Sequence, residues 1–194
     1  MRVISGSAAR RTLYTPAGME VRPTTDRIKE TLFNILAPYI YDVDFLDCFA
    51  GSGGIGIEAL SRGAKEAVFV DNSKVSIGCI KKNLEITKLA ERAEVLMLDY
   101  RSAFNKLKMD GKSFDIIFMD PPYKMGLEED AICEIERCGI LKPDGRIIIE
   151  AAAATAFDFI EKTGFEIVRE KNMVQINIFL LHINNKKVII KVAI

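Results

Sequence analysis

Four consecutive residues, Asp120-Pro121-Pro122-Tyr123, carry the most distinctive chemistry in the chain. Two prolines stiffen the backbone and withdraw two N–H donors. What is left is a rigid corner of acceptors, the Asp120 carboxylate and the Pro121 carbonyl, beside the aromatic ring of Tyr123. Acceptors without donors suit an exocyclic NH2 group, whose two hydrogens need partners. A flat ring suits a base, and base–aromatic stacking is worth roughly 1–3 kcal/mol. In isolation the four residues read as a proline turn with a packing tyrosine. What precedes them favours the functional reading.

Asp47-Cys48-Phe49-Ala50-Gly51-Ser52-Gly53-Gly54-Ile55-Gly56 joins a short apolar run to a helical one. Glycines there permit a tight turn and let a ligand approach the amides at the positive end of a helix. Gly51, Gly53 and Gly56 satisfy GxGxxG, a short pattern that a ligand-free turn also satisfies. Asp71 lies 20 residues beyond Gly51, where a carboxylate accepts hydrogen bonds from both hydroxyls of a ribose. Nicotinamide and S-adenosylmethionine enzymes share that feature. Asp47 separates them, because a carboxylate before the loop repels a pyrophosphate and attracts a cation such as a methionine amino group. Asp99 serves equally well as partner of an adenine amine or as N-cap of the segment from Tyr100. A sulfonium methyl is already activated, so the expected chemistry is in-line displacement by an amine. Asp120 and Pro121 would stabilise the charge developing on that amine.

The elements that must position these groups alternate along the chain. Apolar runs predict strands at 45–48, 67–70, 94–98, 114–119 and 146–150, with closing strands at 165–169 and 174–182. Helical spacing predicts helices from Asp26 to Pro38, 55–61, 73–87 (Val75, Ile80 and Leu84 inward), 127–138 and 153–162. In the first helix Thr24-Thr25-Asp26 suit the N-cap, and Ile28, Leu32, Ile35, Leu36 and Tyr39 form the apolar stripe, with Arg27, Lys29 and Glu30 off it. Non-alternating apolar strands interleaved with helices require a parallel sheet covered on both faces, a doubly wound Rossmann-like α/β fold. The tail after Asn184 reads as a turn and then an edge strand or frayed end over 188–194.

The chain has 194 residues, with 27 Lys+Arg against 27 Asp+Glu, so any nucleic-acid surface must come from segregated charge. Residues 1–23 hold a net charge of +3, either a solvated arm or one that contacts phosphates. No apolar run approaches the roughly 18–20 residues of a membrane span, and a reduced cytoplasmic protein is expected. Cys133, Cys138 and His182 make a poor zinc set, so buried structural thiols and no metal are expected.

Arg22-Pro23-Thr24-Thr25-Asp26-Arg27-Ile28-Lys29-Glu30-Thr31-Leu32-Phe33-Asn34, the Asp47–Gly53 loop, Glu58-Ala59-Leu60-Ser61-Arg62-Gly63 and Asp120–Tyr123 together resemble a known family. It is the bacterial 16S ribosomal RNA guanine-N2 methyltransferases, which act on guanine 966 with S-adenosylmethionine. The resemblance runs from about Arg2 to His182. It implies a mostly parallel seven-stranded methyltransferase sheet with the last strand antiparallel. It divides the chain into an RNA-facing arm and helix, 1–40, and a methyltransferase domain, 41–194. Cofactor contacts are implied for Asp47, Phe49, Ala50, Gly51, Ser52 and Gly53, for Asp71 with Asn72, and for Asp99 with Tyr100. Asp120, Pro121 and Tyr123 would be catalytic. Pro122 and Tyr123 would hold the base, and Arg10, Arg11, Arg22, Thr24 and Arg27 would face RNA. The implied partner is 16S RNA within a small-subunit ribonucleoprotein. The chain departs from the family at Ala9-Arg10, where an Arg-Gly pair is usual, and at Val174, Ile178 and Leu181, where glycine and tyrosines are.

Three other readings remain. An NAD-dependent oxidoreductase explains the glycine loop and Asp71 but not Asp120–Tyr123. A non-catalytic RNA-binding module leaves Gly51, Gly53, Asp71 and Asp120 without purpose. An amino-methyltransferase acting on another RNA or on DNA adenine shares the Asp-Pro-Pro-Tyr corner, although a DNA enzyme normally carries a target-recognition region for which there is no room.

Overall fold

The computed structural model of the chain describes residues 1–15, 26–122, 126–172 and 176–184. The expected cap at Thr24–Thr25, Arg22, Tyr123, Val174 and the segment 188–194 lie outside the described residues. The chain divides into two units, Met1–Ala103 and Phe104–Ile194.

The first unit holds α1 (Asp26–Leu36), β1 (Asp44–Cys48), α2 (Gly54–Ser61), β2 (Glu66–Asp71), α3 (Lys74–Thr87) and β3 (Ala93–Met97). β1 and β3 both pair with β2 in parallel, Cys48 opposite Val70 and Asp71 opposite Met97, so all three strands end on one edge. Phe45, Leu46, Phe69 and Val70 are buried, as strands covered on both faces demand. Ser73 caps α3 by accepting from the Ser76 N–H, and Lys88 in the left-handed region ends it. Ile80 and Leu84 face inward as expected. Val75 does not: it is exposed, two residues before Ile77 and so on the side of the helix opposite the buried Ile77 and Ile80.

The second unit holds β4 (Phe114–Met119), α5 (Leu127–Cys138), β5 (Leu141–Ala152), β6 (Phe165–Asn172) and β7 (Ile176–Ile183), with α4 (Tyr100–Met109) leading into it. Left-handed glycines at 126 and 139 bound α5. Its first turn carries Glu128, Glu129 and Asp130 and its last Arg137, the polarity the helix dipole favours. β4 and β5 are parallel, while β7 runs antiparallel to β5 and β6. The strand order is β3-β2-β1-β4-β5-β7-β6, the expected mostly parallel seven-stranded sheet with its last strand antiparallel.

Several expectations are corrected. β5 starts at Leu141 rather than Arg146, because Leu141 pairs with Phe114 before Lys142–Gly145 bulge out of register. The helix expected over 153–162 is only a 3₁₀ segment, Asp158–Lys162. There Phe157 stacks on Phe179 with centroids 4.1 Å apart, and this packing overrides the helix propensity of the alanines. Cys133 is exposed on the outer face of α5, unlike buried Cys48, Cys79 and Cys138. Tyr39 is exposed beyond the end of α1, while Lys29, placed off the apolar stripe, is wholly buried.

Residues 1–15 are not a solvated arm. Val3, Ala8 and Leu13 are buried, and Arg2 bridges to Thr12. The amides of Ile4 and Ser5 donate to the Glu58 carboxylate at 2.8 and 3.0 Å, and Ala8 donates to Ser61 Oγ. Among the described residues no helix is long and apolar enough to cross a membrane, and no cluster of metal-ligating side chains occurs.

Candidate active site

The glycine loop leaves β1 through a backbone that side chains rarely adopt. Phe49 has φ +62°, Gly51 +55° and Gly53 +76°. Gly53 caps α2 without a side-chain hydrogen bond, which leaves the first amides of that helix to other partners. The loop is stitched to the end of β2: Ala50 N–H donates to the Val70 carbonyl, and Gly51 N–H to Asp71 Oδ2 at 2.9 Å. The other oxygen of Asp71 accepts from Ser73 N–H at 2.8 Å. Asp71 therefore sets the loop against β2, and each of its oxygens retains acceptor capacity for a further donor.

The Phe49 ring meets Tyr100 with centroids 5.4 Å apart, so the ends of β1 and β3 jointly present an aromatic pair. Asp99 beside it caps α4, accepting from the N–H and Oγ of Ser102, and these bonds hold its carboxyl below the usual range. It is exposed. Asp47 is fully enclosed and accepts from Gly56 N–H at 2.8 Å. Burial pushes its pKa up to about 8, with the Asp71 charge adding to the effect.

The structure thus brings Asp47 to Gly53, Asp71 and the Phe49–Tyr100 pair together at the strand ends of the first unit. Asn72 is exposed beside Asp71. Of the expected RNA-facing residues, Arg10 is exposed with φ +68°, Arg11 donates to the Ile86 carbonyl, and Arg27 is exposed on α1. In the second unit Asp120 directly follows β4, half-buried, with Pro121 buried and Pro122 exposed.

Asn83 lies in none of the motifs, and Glu58, although within one, was given no role. Asn83, wholly buried, accepts from Tyr14 N–H at 2.7 Å and donates from Nδ2 to the carbonyls of Ser52 (2.9 Å) and Tyr14 (3.0 Å). Glu58 accepts from Ile4, Ser5, Lys29 and Arg62. The signal for Glu58 was a lone charge in an otherwise apolar helix; for Asn83 it was a polar residue at helical spacing from the inward Cys79 and Ile80.

A seven-stranded sheet in this order, with a glycine loop after its first strand and a carboxylate ending its second, defines the S-adenosylmethionine-dependent methyltransferase class. The residues present fit that cofactor: a positive helix end for a carboxylate, Asp71 for ribose hydroxyls and an aromatic pair for an adenine.

Comparison with known proteins agrees. The chain belongs to the family described as Conserved hypothetical protein 95, whose pattern it matches over residues 1–182. The ribosomal RNA small subunit methyltransferase D of Escherichia coli (strain K12) is 41% identical over 151 residues, spanning 78% of this chain and 74% of that protein. Among solved structures, a hypothetical protein of Thermus thermophilus superimposes with a TM-score of 0.81 at 27% identity, covering 94% of this chain and 99% of that one. An S-adenosylmethionine-dependent methyltransferase from Agrobacterium tumefaciens shares the fold (TM-score 0.63, 20% identity), over 81% of this chain and 61% of that one.

Proposed function

We propose that this chain methylates the exocyclic N2 amine of a guanine in 16S ribosomal RNA, position 966, within a small-subunit ribonucleoprotein in the cytoplasm. The observation that carries the reading is the convergence of the glycine loop, Asp71 and the Phe49–Tyr100 pair on one edge of three parallel strands. The name of the Escherichia coli relative supports the choice of small-subunit RNA.

When bound, S-adenosylmethionine supplies a methyl group activated by its sulfonium. The loop from Phe49 to Gly53 would hold the amino-acid end and Asp71, with Asn72, the ribose. Phe49 and Tyr100, with Asp99, would flank the adenine. Asp47, buried under the loop, orders it through the Gly56 amide. The Asp120 carboxylate and the Pro121 carbonyl would accept the two N–H groups of the target amine and stabilise its growing positive charge. Pro122 and Tyr123 would pack on the base. Residues 1–40, with Arg10, Arg11, Arg22, Thr24 and Arg27, form the RNA-facing extension and add phosphate contacts.

The test is to map N2-methylguanosine in 16S RNA from cells lacking the gene. Loss of the modification at 966 and its return with the wild-type gene are expected. Persistence of the mark there in the deletion strain overturns the reading.

A further inference from the structure

We infer that Asn83 is a positioning residue that couples the cofactor loop to the arm formed by residues 1–15. This rests on the function proposed above and extends it. Asn83 lies on α3 with no exposed surface, and its one amide group serves two separate stretches of main chain. Tyr14 N–H can only donate, so Oδ1 must face it and Nδ2 must face the two carbonyls, Ser52 and Tyr14. Ser52 sits at the centre of the glycine loop. Tyr14 lies near the end of the arm, after the exposed Arg10 and Arg11.

The amide is planar and both partners are backbone, so the link has no torsional slack of its own. Its neighbours reinforce it. Cys79 Sγ also donates to the Tyr14 carbonyl at 3.0 Å, and Lys82 Nζ stands 3.6 Å above the centre of the Tyr14 ring. Arg11 reaches the Ile86 carbonyl, docking the arm along the same helix. At the other end Met1 Sδ lies over the glycine loop, 2.3 Å from where a Cβ on Gly54 would sit and 3.8 Å from Ser52 Oγ. A change in the Ser52 backbone when the loop closes on its ligand must therefore be transmitted to Tyr14. By thermodynamic reciprocity the coupling runs both ways with one factor, and RNA that orders the arm in this docked position tightens the loop's grip on the cofactor.

The experiment measures binding of radiolabelled S-adenosylhomocysteine by equilibrium dialysis, with and without purified small ribosomal subunits. Wild-type protein should bind it about tenfold more tightly with subunits present. Asn83→Asp keeps the size and the acceptor for Tyr14 N–H but replaces both donated bonds with carboxylate oxygens. In that variant the ratio should fall to about one. An equal ratio in both proteins, or no ratio in the wild type, overturns the inference. A second measurement needs no variant. Hydrogen exchange of the wild type should show the Tyr14 amide slowing when S-adenosylhomocysteine alone is added, and an unchanged amide counts against the coupling. Methylation of guanine N2 by the same wild-type preparation is assayed in parallel. Its absence defeats the proposed function together with the inference, whereas methylation with an unaltered ratio defeats the inference alone.

Discussion

The ammonium of Lys29 lies 3.1 Å from Glu58 Oε2, and neither side chain reaches solvent. Lys29 also donates to the Arg2 carbonyl at 2.6 Å, and Glu58 takes Arg62 Nε at 2.7 Å on its other oxygen. One carboxylate thus joins α1, α2 and the first turn of the arm. Burial pushes the Lys29 pKa down, and the Glu58 charge opposes that shift. The pair survives in the core because each charge has a partner and the remaining acceptor sites are filled by amides.

Removing the acid should therefore cost more than removing the base. Glu58→Gln leaves a buried ammonium without a countercharge, a loss of about 3–5 kcal/mol. Lys29→Met leaves Glu58 with Arg62 and two amide donors, and the loss should be smaller. Urea denaturation of the two variants decides the order, and the reverse order would show that Arg62 does not compensate for Lys29.

Asp47 makes stability depend on pH. With its pKa raised from 3.8 to about 8, the folded chain keeps a proton that the unfolded chain has released throughout that interval. The native state then binds more protons than the unfolded one, so this group's contribution to stability falls as pH rises between those values. The slope from such a group is at most about 1.4 kcal/mol per pH unit. Asp47→Asn retains an acceptor for Gly56 N–H and removes the titration. Its melting temperature should decline less than that of the wild type between pH 5 and pH 8, and parallel declines would contradict the assignment.

The glycines of the loop should differ in tolerance. A Cβ on Gly56 would lie 2.3 Å from Phe69 Cε1 and 3.1 Å from Asp47 Oδ2, both fixed in the core. Gly56→Ala should destabilise by about 1–3 kcal/mol. A Cβ on Gly54 meets Met1 Sδ, the far end of a flexible side chain, so Gly54→Ala should cost clearly less. Thermal melts of the two variants, side by side, measure the difference.

Asp120→Ala removes the carboxylate expected to accept from the target amine. A loss of about 10²–10³ in kcat is expected, the size found when one preorganised electrostatic contact is deleted. Calorimetric affinity for S-adenosylhomocysteine should change by less than about threefold. Equal losses in turnover and affinity would assign Asp120 to cofactor binding.

The strands and the glycine loop were legible because their signals are local. Runs such as Phe114–Met119 are apolar without alternation, and glycines in left-handed geometry bracket α5 at the predicted Leu127–Cys138. Asp71 was found from its spacing, which follows from the length of a strand–helix–strand unit. The segment 153–162 was misread because propensity there yielded to the packing of Phe157 on Phe179.

What the sequence determined by itself was the order of strands and helices, the α/β class, and the residue types offered at each strand end. What only the tertiary structure decided was which polar groups are buried together. Lys29 lies among charged neighbours on an amphipathic helix, and nothing local marks it as interior. Its burial depends on Glu58, 29 residues away, and on a backbone carbonyl of the arm. Asn83 likewise owes its place to Ser52 and Tyr14, which are distant in the chain and contribute only main-chain atoms. Periodicity reports the average polarity of a helix face. The pairing of a buried charge or amide is set by where separate elements meet, and that is fixed only when the chain has folded.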